Sequence, residues 1–158
     1  MAKQTVKTNV MRVLEKEKVL YEAHEYNEEE TDGEKVAALV GKPANTVFKT
    51  LVTEGGNRTY FVFVIPVENT LNLKKAAKAA GCKSLSMLKQ KDLLPLTGYV
   101  HGGCSPVGMK KMFPTFFHKT AENLEKICVS AGKRGCQVEL SPLELCSLVK
   151  GSFADLTD

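Results

Sequence analysis

The chain has 158 residues, 43% of them apolar and 25% charged, a length and balance that fit one globular domain with a single substantial core. No stretch approaches the ~20 consecutive apolar residues of a membrane-spanning helix, and the first residues lack the apolar run of a signal peptide, so no membrane association and a cytoplasmic location are expected. The net charge of +4 hides an asymmetry: residues 69–135 carry 12 basic and 3 acidic side chains, a net +9, between two acidic flanks. Such a block suggests a polyanionic partner, although lysines also serve solubility alone.

Val6, Val10, Val13 and Leu14 recur at helical spacing, with Thr5 or Thr8 able to cap, and predict an amphipathic helix to about Lys18. Residues 19–26 alternate like a strand, and residues 27–32 form an acidic loop. Residues 33–40 read as a short helix closed by Gly41, with Pro43 forbidding its continuation. Residues 46–53 and 58–65 are two strands separated by Glu54-Gly55-Gly56-Asn57, a hairpin signal.

Asn72 caps a helix running to Ala80 and ended by Gly81, and a short helix is expected near residues 89–94. A loop dense in glycine and proline follows at residues 97–108, then a short strand at 116–118. Residues 126–131 and 136–140 are strands joined by Gly132-Lys133-Arg134-Gly135. Ser141-Pro142-Leu143-Glu144 is a capping box with proline at the first helical position, opening a last helix to about Lys150. This order predicts one α/β (mixed α+β) domain over residues 1–158, built on a mixed sheet and not on a doubly wound parallel one.

Lys49 stands in the strand run Thr46-Val47-Phe48-Lys49-Thr50-Leu51-Val52, where both faces are largely apolar. A lysine there either lays its stem on apolar surface with the amine in water, or sits desolvated with a lowered pKa and seeks an anionic or carbonyl partner. The loop Gly98-Tyr99-Val100-His101-Gly102-Gly103-Cys104-Ser105-Pro106 lets backbone approach a ligand or another chain segment closely. His101 and Cys104 raise a rival idea, a thiol nucleophile with an imidazole base, without the context such pairs require. Lys133 and Arg134 at a hairpin tip suit phosphate contact, as they also suit a solvated turn.

The five cysteines include no Cys-x-x-Cys pair, so reduced thiols are expected. The three histidines are dispersed, and none has a carboxylate or thiol partner at ligand spacing along the chain, so no metal site is expected. No phosphate-binding glycine motif is present that would imply a nucleotide cofactor.

Taken together, His24-Glu25-Tyr26, Val47-Phe48-Lys49-Thr50-Leu51, Asn72-Leu73-Lys74-Lys75-Ala76-Ala77, Thr97-Gly98-Tyr99 with Gly102-Gly103 and Ser105-Pro106, and Val129-Ser130-Ala131-Gly132-Lys133-Arg134-Gly135 resemble the YbaK/EbsC family of aminoacyl-tRNA deacylases, relatives of the prolyl-tRNA synthetase editing domain. The resemblance implies a compact domain with a central mixed, barrel-like sheet flanked by helices. It implies deacylation, without cofactor or metal, of tRNA(Pro) mischarged with cysteine, acting in trans alongside prolyl-tRNA synthetase. Lys49 would hold the ester carbonyl and the 3′-terminal ribose, and Gly102 and Gly103 would meet the substrate through backbone N–H groups. Tyr26 and Ser130 would line the pocket, and Lys133 and Arg134 would lie near the tRNA end.

The implied chemistry is attack of the substrate's own thiol on its ester, releasing tRNA and a thiolactone. Gln137 stands where the family often carries an acidic residue, so no carboxylate role transfers to that position. Cys104 and His101 occupy positions that relatives fill with plain residues, which weighs against the thiol enzyme. Hydrolysis of alanyl-tRNA(Pro) or another misacylated tRNA by water, and a non-catalytic module that binds tRNA or the synthetase, are the alternatives.

Overall fold

A computed structural model describes residues 7–158. Helix α1 (Asn9–Lys16) opens the fold, capped by Thr8, whose hydroxyl accepts from the Met11 N–H at 3.2 Å. Val10, Met11 and Leu14 are its buried stripe, and burial of such side chains stabilises by about 1.5–3 kcal/mol each. Thr5 and Val6 lie outside the described residues. The helix stops short of Lys18, which adopts φ 60°.

Strand β1 (Tyr21–Glu25) and helix α2 (Gly33–Leu39), capped by Asp32, lead into β2 (Phe48–Glu54) and β3 (Tyr60–Pro66). The hairpin forms where the sequence predicts it, with Lys49 opposite Ile65 and Leu51 opposite Phe63. Helix α3 (Leu73–Ala80) is capped by Asn72, which accepts from two backbone N–H groups, and closed by Gly81 at φ 72°. Strand β4 (Ser86–Met87) is a two-residue addition to the edge of β2.

Helix α4 (Gln90–Thr97) runs past Leu94 and through Pro95, where the sequence reading ends it. Proline removes one helical bond, but the next carbonyls are satisfied: Thr97 Oγ1 donates to Leu93 O at 2.8 Å and the Gly98 N–H to Leu94 O at 2.9 Å. Strands β5 (Thr115–His118), β6 (Ile127–Ser130) and β7 (Cys136–Leu140) precede helix α5 (Pro142–Leu148), whose cap Ser141 accepts from the Glu144 N–H. A short β8 (Ser152–Ala154) ends the element order.

The strands form two sheets, an antiparallel β1-β7-β6 and a mixed β4-β2-β3-β5-β8. Their inner faces enclose the main core, where Leu14, Phe48, Val62, Val64, Phe117, Ile127, Val129, Val138 and Leu140 are almost wholly buried. A second cluster of Phe63, Ile65, Leu71, Ala76, Ala77 and Leu156 fills the space beneath α3. The mixed α/β character is as expected, but "barrel-like" holds only loosely. The sheets join through one parallel bridge, Val47 to Cys128, and do not close among the described residues.

Candidate active site

Both strands at the Val47–Cys128 bridge continue in the same direction, β2 toward Thr50 and β6 toward Ser130. Among the described residues the outer edge of β2 at Phe48–Leu51 has no strand neighbour, because β4 pairs only with Thr53 and Glu54. Between that edge and Ser130 lies a cavity of about 150 Å³, lined by residues that include Tyr26, Thr31, Lys49, Thr50, Gly102, Cys104, Ser130 and Gln137. A volume on the order of 150 Å³ holds a benzene-sized group.

Lys49 is half-buried, and its ammonium has no ion pair or hydrogen bond among the described residues. Burial pushes its pKa below the usual lysine value, and the fields of Asp32 and Glu34 work the other way. Two further polar atoms on lining residues lack partners among the described residues: Thr50 Oγ1 on β2 and Gln137 Oε1 on β7 are both buried and unbonded. Leaving such an atom unpaired costs about 1–3 kcal/mol, so an occupant that bonded them would recover that cost. Ser130 Oγ accepts from the Gly132 N–H at 3.1 Å, which leaves its proton free to donate.

The glycine loop forms the opposite wall. Its base is pinned by the Tyr99 hydroxyl donating to the Val107 carbonyl, and by the Lys110 N–H donating to Thr97 O at 3.0 Å. Its tip rests on the 132–135 turn. A Cβ on Gly103 would lie 3.1 Å from the backbone of Lys133 and Arg134, and one on Gly102, at φ 86°, would lie 2.9 Å from Thr31 Cγ2. The Gly103 N–H is engaged by Val100 O at 3.0 Å, whereas the Gly102 N–H has no acceptor among the described residues.

Of the residues singled out in the sequence, Lys49, Tyr26, Gly102 and Ser130 thus border one cavity. Gly103 sits buried behind the wall, and Lys133 and Arg134 are exposed on the turn that supports it.

A family model for the aminoacyl-tRNA editing domain matches residues 27–148. The chain belongs to the aminoacyl-tRNA editing domain family. It is 48% identical over 153 residues to "Putative Cys-tRNA(Pro)/Cys-tRNA(Cys) deacylase EbsC" of Enterococcus faecalis, covering 96% of this chain and 93% of that one. The fold matches a crystal structure described as "a putative trans-editing enzyme for prolyl tRNA synthetase" at TM-score 0.79 and 24% identity, over 87% of both chains. It also matches that of a hypothetical protein at TM-score 0.88 and 22% identity, over 96% of this chain and 100% of the other. At these identities the two structures establish the shared fold.

The editing-domain cavity contains groups the sequence reading did not select. Thr50 falls on the face of β2 opposite Lys49 and joins it only because the cavity opens at a strand edge. Gln137 was legible in principle, since a turn closed by the Ala131 N–H on Cys136 O puts Gln137 opposite Ser130. Cys104 lines the cavity too, but burial pushes its thiol up to about 12, and no hydrogen bond joins it to His101. A protonated thiol without a base is a poor nucleophile.

Sheet register also gives His24 the partners that the linear sequence does not. His24 Nε2 lies 2.8 Å from Glu139 Oε1, Lys42 Nζ lies 3.2 Å from Glu139 Oε2, and the donor atoms of His24, Cys128 and Glu139 fall within 4.8 Å of one another. Burial acts to raise the Glu139 pKa, but the His24 and Lys42 contacts outweigh it and hold the carboxyl below its ordinary value. With both oxygens engaged, one by the His24 ring and one by the Lys42 ammonium, this is a satisfied polar cluster two residues along β7 from Gln137.

Proposed function

We propose that this editing domain removes cysteine from cysteinyl-tRNA(Pro) in trans, with Lys49 positioning the ester. The observation that carries the reading is a small cavity bordered both by Lys49, half-buried and without an ion pair among the described residues, and by Gly102, whose N–H has no acceptor among them, while the Cys104 thiol there is held protonated. A site so equipped can orient an ester and stabilise a developing oxyanion, but it needs the attacking group from elsewhere. The substrate thiol supplies it. The sulfur bonds to the ester carbonyl carbon, the bond from that carbon to the ribose oxygen breaks, and the thiol proton ends on the freed ribose hydroxyl. The products are uncharged tRNA and cysteine thiolactone, and this step consumes no water. It is therefore lyase-type, and hydrolysis of the thiolactone is a separate event.

Lys49 holds the carbonyl and the terminal ribose, while Tyr26, Ser130 and Gly102 bound the aminoacyl group. Gly103 contributes by shaping the loop, since its N–H is already engaged. The basic block at residues 69–135 supports tRNA as the partner, and prolyl-tRNA synthetase would deliver the mischarged tRNA. The relative named for Cys-tRNA(Pro) and Cys-tRNA(Cys) supports the same substrate class. A second reading is favoured by the unbonded Thr50 and Gln137 oxygens, which could hold a water that hydrolyses alanyl-tRNA(Pro) or another misacylated tRNA.

Deacylation of cysteinyl-, alanyl- and seryl-tRNA(Pro) separates these readings. We expect the cysteinyl ester to be released at least ~100-fold faster than the others, because only its side chain makes attack intramolecular. Lys49→Ala should lower the rate by about 100-fold or more, the usual scale for losing one oxyanion contact. Comparable rates for alanyl and cysteinyl esters would favour the water reaction. Tight tRNA binding with release of every ester at the buffer rate would reduce the protein to a binding module.

A further inference from the structure

The hairpin-tip arginine is bonded to the glycine loop. Arg134 Nε donates to the His101 carbonyl at 2.7 Å, and its side chain packs where a Gly102 Cβ would lie 3.2 Å from Nε and 3.4 Å from Cγ. The His101 carbonyl and the Gly102 N–H are two ends of one peptide unit. In a planar trans peptide they point in opposite directions. A cation that fixes the carbonyl on the turn side therefore fixes the N–H on the far side, and Gly102 is among the residues that border the cavity. That N–H has no acceptor among the described residues, whereas its neighbour on Gly103 is engaged by Val100.

We infer that Arg134 is a positioning residue that aims and polarises the Gly102 N–H as an oxyanion donor. Its hydrogen bond to His101 is charge-assisted, and such a bond on a carbonyl strengthens the N–H of the same peptide as a donor. Without it, that peptide is held only as the central unit of the turn closed by the Gly103 N–H on Val100 O, and glycine there lets such a unit flip. This role differs from the phosphate contact suggested by a basic hairpin tip. It occupies Nε, and the terminal guanidinium nitrogens make no hydrogen bond or ion pair among the described residues. The inference rests on the deacylase reading for its kinetic consequence, but the hydrogen bond itself is independent of that reading.

The test is Arg134→Lys and Arg134→Ala, read as kcat against KM for cysteinyl-tRNA(Pro) over a range of salt. Lysine keeps the charge at the tip but offers no Nε–H held by a planar group. A positioning role predicts that both variants lose kcat by ~10-fold, with KM and its salt dependence little changed, a smaller loss than deleting an oxyanion donor outright. Ethylguanidinium added to Arg134→Ala should restore part of the rate. A phosphate role predicts the opposite, namely raised KM, a salt slope reduced by about one, and near-normal kcat in Arg134→Lys; that result overturns the inference.

Carbonyl-carbon and amide resonances of His101 and Gly102 provide a readout that needs no activity. They should move in Arg134→Lys while the melting temperature stays within a few degrees of the parent. Unchanged resonances mean that the bond is absent in solution and overturn the inference as well. If the parent protein deacylates no ester, the function proposed above fails, and the resonances still decide whether Arg134 holds the loop.

Discussion

The two unbonded acceptors in the cavity wall invite a substitution in which stability and activity move in opposite directions. Thr50→Val keeps the shape of the side chain and removes a buried hydroxyl without a partner. It should leave stability unchanged or raise it by up to about 1 kcal/mol, while deacylation falls because a contact made only with substrate is gone. Urea unfolding and single-turnover deacylation on the same variant check both halves. Lys49 makes the complementary case. Lys49→Arg preserves charge but not shape, so a positioning role predicts that this variant, too, loses most activity. Retained activity would mean that charge alone suffices. Because burial lowers the Lys49 pKa and Asp32 opposes that shift, Asp32→Asn should lower the titration midpoint of the Lys49 amine further, measurable by heteronuclear NMR on the side-chain nitrogen.

At the scale of elements, the glycine loop and the 132–135 turn behave as one unit. Gly103→Ala puts a methyl 3.1 Å from backbone atoms of Lys133 and Arg134, and Gly102→Ala forces a side chain onto φ 86° beside Thr31. Each should cost roughly 1–3 kcal/mol, read as a fall in the urea midpoint, with activity lost in both because the wall moves. The parts of the fold legible in the sequence were those set locally. Caps at Asn72 and Ser141, the helix-closing Gly81 and the two tight hairpins need only neighbours within a few residues. Strands β4 and β8 were not legible. They are two and three residues long, and they exist because distant strand edges, those of β2 and β5, offer them partners. The same limit applies to the site. Lys49 could be singled out from its register and neighbouring motifs, whereas Thr50 and Gln137 acquire their place from the separation of two sheets.

Over the whole molecule, the chain's last residues are sewn to its middle. His118, buried on β5, accepts the Leu156 N–H on Nδ1 at 3.1 Å, which leaves its proton on Nε2 to donate to Thr157 Oγ1 at 3.2 Å. Lys75 bonds both Asp155 and the Thr157 carbonyl. Burial pushes the His118 pKa below 6.5, outweighing Asp155, which raises it. The unfolded chain therefore takes up a proton before the folded one does. Stability should be full above pH 6.5 and fall as the pH drops from there toward the folded-state value. His118→Gln, which retains an acceptor for Leu156, should flatten that part of the pH dependence in urea titrations near pH 6.

The same architecture sets a schedule for how the protein comes into being. Among the described residues strand β1 pairs with β7 alone, and His24 meets Glu139, 115 positions further along the chain. At about 5–20 residues per second of synthesis, the first strand waits roughly 5–20 s on the ribosome before its partner emerges. The cavity cannot exist during that interval, since Tyr26 and Lys49 are already made while Ser130 and Gln137 are not. An editing domain of this design thus lacks its cavity as a nascent chain until the segment carrying Ser130 and Gln137 has emerged and folded.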